Sequence, residues 1–208
     1  MDVDEFWDLI ERSGRETDTR STRVAWLVDE LSRRPAEEII DYDVWWTTTA
    51  NRGCTIDLYA AYWCVFGSGS LDGFEYFVSW LISLGRETFE AVAECPDRLI
   101  EQPQVLRLLD PVALYVNFIK RGPRYPEETW EEHPQFESLA YVTYEAYERV
   151  TGKDSAALGE AVAARGVSGD FPLIPALGSV PHGEQWDFGD EREMARRLPR
   201  IARYRDQR

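Results

Sequence analysis

Apolar residues recur along the chain at helical spacing, interrupted by short polar or glycine-rich stretches. Asp2-Val3-Asp4-Glu5 is an acidic helix start, and a helix to about Arg12 would bury Phe6, Leu9 and Ile10. Ser21 is a candidate cap for a second helix, in which Val24, Leu27, Val28 and Leu31 share a face. Pro35 suits the first turn of a third, and Gly53 its left-handed end. Residues 55–66, TIDLYAAYWCVF, are apolar nearly all round and predict a central helix, with a strand left open over the last residues.

After the turn GSGS comes LDGFEYFVSWLISLG, residues 71–85. Asp72 and Glu75 have the spacing of a capping box, Phe74, Phe77, Val78, Leu81 and Ile82 form an apolar stripe, and Gly85 stops it. A further helix breaks at Pro96. Residues 111–119 suit either a helix beginning at Asp110-Pro111 or a strand, and residues 121–135 are a proline- and acid-rich connection. An amphipathic helix over 136–150 should stop at Gly152 and be followed by an alanine-rich helix near 156–165. The stretch from 166 to 189 reads as one long loop, and Asp190 with Glu193 as the start of a basic helix interrupted by Pro199. The expected fold is all-α, a compact multi-helix single domain over residues 1–208 with a long C-terminal loop.

Charge narrows the partners. The net charge is −15, and residues 126–148 hold seven acids and no Lys or Arg. Such a surface repels phosphate backbones, so nucleic acid is not an expected partner, whereas a protein with a basic surface is. No apolar run approaches the ~20 residues of a membrane span, and the acidic first residues do not resemble a signal peptide. The three cysteines lack metal or redox spacing, which points to reduced thiols in a cytoplasmic protein and to no metal site.

The segments FWDLIERS, GFEYFVSWLISLGRETFEAV, FESLAYVTYEAYERVTG and GEQWDFGDEREMARRLPRIARY resemble a bacterial, largely actinobacterial family of unknown function. Its signature is Asp-Gly-Phe-x-x-Phe-Arg-x-Trp-Leu-Ile, matched here by Asp72, Gly73, Phe74, Phe77, Trp80, Leu81 and Ile82, with Val78 in place of the arginine. The likeness runs over residues 1–100 and more loosely over 136–205, which makes 101–135 resemble an insertion. It implies no activity.

Phosphate loops, dinucleotide fingerprints, G-x-S-x-G and H-E-x-x-H patterns are all missing, so no cofactor is expected. Cys54 with His182 is the one nucleophile–base pairing that can be named, although both histidines sit in proline-containing stretches. Two readings follow. In the first, the protein is a non-catalytic interaction domain whose adaptable surfaces are the acidic connection and the long loop. Trp130 and Trp186 are its candidate anchors, because eight tryptophans are many for one helical core. In the alternative, Asp72, Glu75 and Glu145 line an aromatic pocket of a small enzyme or small-molecule-binding protein.

Overall fold

The computed structural model describes residues 1–67, 69–109 and 133–207. The candidate anchor Trp130, the acids at 127–132 and the helix-or-strand question at 111–119 lie outside these residues. Among the described residues the fold is all-α. Its elements are α1 (Val3–Glu16), α2 (Arg20–Ser32), α3 (Ala36–Gly53), α4 (Ile56–Phe66), α5 (Leu71–Ser83) and α6 (Arg86–Glu94). A 3-10 turn (Pro96–Glu101) and α7 (Pro103–Leu108) follow. Beyond the undescribed stretch come a 3-10 turn (Glu137–Tyr141), α8 (Val142–Thr151) and α9 (Ser155–Ala164). A short 3-10 turn (Pro175–Leu177) leads to α10 (Glu191–Arg197) and α11 (Pro199–Asp206).

The middle of the molecule is α5. Phe74, Phe77, Leu81 and Ile82 are fully buried on it, and it packs against α1, α3, α4, α6 and the 3-10 turn before α8. The Phe77 ring stacks on Tyr62 of α4 at 4.6 Å, so the aromatic run of this segment is core. On one side α8 lies along α2 and α3. On the other, buried Asp97 accepts the free Arg200 and Ile201 amides and fastens the start of α11 to the 3-10 turn at 96–101.

Several expected helix ends shift. The cap of α5 is Ser70, whose hydroxyl accepts from the Gly73 amide at 2.9 Å, so Asp72 is the second residue of the helix and the capping box with Glu75 is not formed. Gly73 is required by close approach: a Cβ there would stand 2.9 Å from Gln135 Nε2 and 3.1 Å from the Tyr62 hydroxyl. The second helix is capped by Thr19 with Thr22, not by Ser21. Pro35 is the residue before α3. Gly53 is the last residue of α3, not a left-handed end, and is small because Val78 of α5 crosses it, 3.0 Å from where a Cβ would stand. The continuous helix expected over 136–150 is instead a 3-10 turn followed by α8, while Gly152 does take the left-handed end. Residues 55–66 hold a helix to the end, with no strand.

The tryptophans are also placed differently. Trp7, Trp46 and Trp80 are buried, and Trp26, Trp45, Trp63 and Trp186 are partly buried against the core. Ring faces on neighbouring amphipathic helices shield one another, so no described tryptophan is left at an open groove.

Candidate functional site

Among the described residues, the exposed large aromatic rings are tyrosines. Tyr141 ends the 3-10 turn and Tyr144 lies in the first turn of α8, on the side away from buried Leu139, Val142, Ala146 and Tyr147. The two rings sit 5.5 Å apart and are 39% and 41% exposed, an open pair where the other described large rings are covered. The turn that carries Tyr141 is held to α5 by the Phe136 amide, which donates to the Tyr76 carbonyl at 2.9 Å.

That seam assembles an acidic cluster. Glu75 sits in the field of Asp72 on its own helix and of Glu137 across the seam, and burial with these two like charges raises its pKa to about 7. The Glu137 carboxylate also faces the Tyr76 hydroxyl and, with burial, pushes its pKa upward. Tyr141 and Tyr144 are raised as well, first by burial and then by surrounding acids, Glu75 among them for both. Among the described residues, none of Asp72, Glu75 and Glu137 forms an ion pair. Asp43 of α3 extends the acidic field toward Tyr144; it accepts from the Thr143 hydroxyl at 2.6 Å, and burial lifts its pKa to about 6.

Of the expected site residues, Asp72 and Glu75 are therefore brought together and Glu145 is not. The Glu145 carboxylate accepts from Arg149 at 2.6 Å, and Arg149 also reaches Asp29, so this acid is neutralised by its own helix. Trp186 is held inward: its indole N–H donates to Asp57 at 3.1 Å, its ring meets Phe188 at 4.9 Å, and the Arg197 guanidinium lies over it. It fastens the C-terminal segment to α4. Glu137, Tyr141 and Tyr144 were missed. Their signal was present in FESLAYVTYEAYERV, where Tyr141 and Tyr144 fall off the apolar stripe.

Cys54 and His182 do become neighbours, through the main chain. The His182 amide donates to the Cys54 carbonyl at 2.8 Å, and the His182 ring pairs with Asp170 at 2.8 Å. The thiol is fully buried, and desolvation, with the charges of Asp170 and Glu75 adding, pushes its pKa to about 12. Such a thiol stays protonated at neutral pH, the opposite of an activated nucleophile.

Among the described residues no group of three or more His, Cys, Asp or Glu is arranged to hold a metal ion, and no helix is long and apolar enough to cross a membrane. Residues 1–149 match the model of a family described as protein of unknown function (DUF4240). No curated protein and no solved structure matches the chain.

Proposed function

We propose that this chain, which belongs to the DUF4240 family of proteins of unknown function, is a non-catalytic, cytoplasmic protein-interaction domain that receives a basic segment of another protein. One observation carries the reading: an exposed tyrosine pair rimmed by carboxylates that no described cation neutralises. Aromatic faces and unpaired carboxylates together recognise arginine and lysine, the ring by cation–π contact and the acid by a charge-assisted hydrogen bond. Three unpaired cysteines support a reducing compartment.

Calorimetric titration with a short peptide of alternating arginine and glycine tests the reading. Tyr141→Ala with Tyr144→Ala leaves the charge intact and should weaken binding about tenfold. Neutralising Asp72, Glu75 and Glu137 together should weaken it further, whereas the charge-matched change at Glu94, Glu160 and Glu191 should not. Equal losses from both triple variants would reduce the effect to net charge and remove the site.

A second reading has one observation in its favour. A carboxyl titrating near neutrality, as Glu75 does, is suited to general acid–base work, so the same cluster can serve a small-molecule reaction. Glu75→Gln separates the two, since it would abolish a reaction but remove only one of several contacts to a basic peptide.

A further inference from the structure

At the C-terminal end of α5 lies a cleft of about 360 Å³, at the small end of the roughly 300–1,000 Å³ range of ligand pockets. Its base is Arg23 of α2. The Arg23 Nε donates to the Ser13 hydroxyl at 2.8 Å, and Nη2 donates to the carbonyls of Ile10 at 2.7 Å and Ser83 at 2.9 Å. All three acceptors are neutral. Among the described residues no carboxylate pairs with this guanidinium and no acceptor meets its Nη1. An arginine keeps its charge, so the group stands partly desolvated without a counter-ion. Burial correspondingly lowers its pKa from the ordinary value.

Two further features belong to the same cleft. Gly14 packs against the guanidinium, and a Cβ there would stand 3.3 Å from Cζ, Nη1 and Nη2 alike, so a side chain at this position would press on the group. Gln104 of α7 contributes a buried side-chain oxygen that has no hydrogen-bond partner. The cleft thus offers a free charged donor and holds, just beneath its surface, an acceptor that no group satisfies. Glu11, also on the wall, accepts from the Arg86 amide at 3.2 Å and adds a second acceptor. Arg15, also on the wall, reaches Glu11 at 3.9 Å, so the charged side chains of the cleft, Arg23, Arg15 and Glu11, sum to one positive charge, which matches a single carboxylate. A monocarboxylate bearing its own donor would meet all three groups.

We propose that this cleft binds a small carboxylate carrying an adjacent hydrogen-bond donor, of the 2-hydroxy or 2-amino acid class, with the carboxylate on Arg23 Nη1 and the donor shared by Gln104 and Glu11. The size of the cleft restricts the ligand to a few heavy atoms beyond that group. This site is independent of the acidic tyrosine surface at the other end of α5.

The test uses three near-isosteric probes, lactate, alanine and propionate, titrated into the full chain and followed through the amide resonances of Gly14 and Gly85. Lactate or alanine should bind saturably and at least tenfold tighter than propionate, which lacks the donor; the tighter of the two identifies the class. Arg23→Met should abolish binding. Gln104→Leu, which leaves the fold's charged contacts untouched, should bring the preferred probe to the level of propionate, and Gly14→Val should block all three. The proposal is overturned if no probe saturates, if propionate binds as well as the others, or if Gln104→Leu and Gly14→Val bind like wild type.

Discussion

The two ends of α5, about 16 Å apart along the helix, carry opposite charges that no described residue pairs. Among the described residues, Asp72 and Glu75 meet Glu137 at the first turn without a cation, and at the last turn the Ser83 carbonyl receives a guanidinium without a carboxylate. Both arrangements agree with the helix macrodipole, which favours acids at its start and bases at its end, by about 0.3–1 kcal/mol each. That contribution is smaller than the cost of leaving either group desolvated and unpaired. Scarcity is not the cause. With 38 acids in the chain, a carboxylate for Arg23 was available many times over, and the acids at the opposite end had 23 bases to draw on. Among the described residues each end lacks its counter-charge, which is the condition of a surface that takes a ligand.

The largest expected effect comes from the middle of that helix. Trp80 is 5% exposed and packs on Phe77, so Trp80→Ala should cost about 3–5 kcal/mol and disable both ends at once. Thermal denaturation checks this, and a wild-type melting temperature would mean that the ends do not depend on a common core. Arg23→Met should cost about 2 kcal/mol, because the Ile10 and Ser83 carbonyls lose their charged donor. A neutral result in denaturant unfolding would place the guanidinium in solvent and dissolve the contrast.

A smaller pair of changes separates capping from function at the acidic end. Ser70→Ala should cost about 1 kcal/mol through loss of the cap, and Asp72→Ala only a few tenths, since its carboxylate caps nothing. The reverse order in unfolding experiments would restore Asp72 as the cap.

The effect at Glu75 has a definite sign with pH. Glu75 is raised from 4.5 to about 7 in the folded chain, so its contribution to stability is full below about pH 4.5, falls as pH rises through 7, and stays lost above. Glu75→Gln should therefore match wild type at pH 4 and exceed it at pH 8. The gain should be up to about 1 kcal/mol, discounted for partial exposure. A gain at pH 4 instead would show that the carboxylate is not destabilised by its neighbours.

The helical periodicity of the sequence located α1, α4, α5, α6 and α9 within a few residues, because each has an apolar face with a distinct start or stop. It misplaced the cap of α5 for a physical reason. Ser70 and Asp72 are both good N-caps, Glu75 stands at the right distance from the wrong one, and only the tight space around Gly73 decides between them. The site was half legible. Asp72 and Glu75 are local in sequence, but Glu137 reaches them only through the seam at Phe136. Arg23 reads as an ordinary surface base on α2, and its burial arises where α1 and the end of α5 supply carbonyls from ten or more residues away. Tryptophan count pointed to anchors, yet which rings stay open depends on which helices cover them. Among the described residues those rings are Tyr141 and Tyr144.

The central claim, that the acidic end of α5 is a receptor for positive charge, is tested most directly by titrating the Glu75 side-chain carboxyl by carbon-13 NMR, alone and saturated with the arginine–glycine peptide. The account predicts a pKa of about 7 in the free protein, moving well down toward the ordinary carboxylate range when the peptide is bound. An ordinary value in the free protein, or a value near 7 that saturating peptide leaves in place, would contradict it.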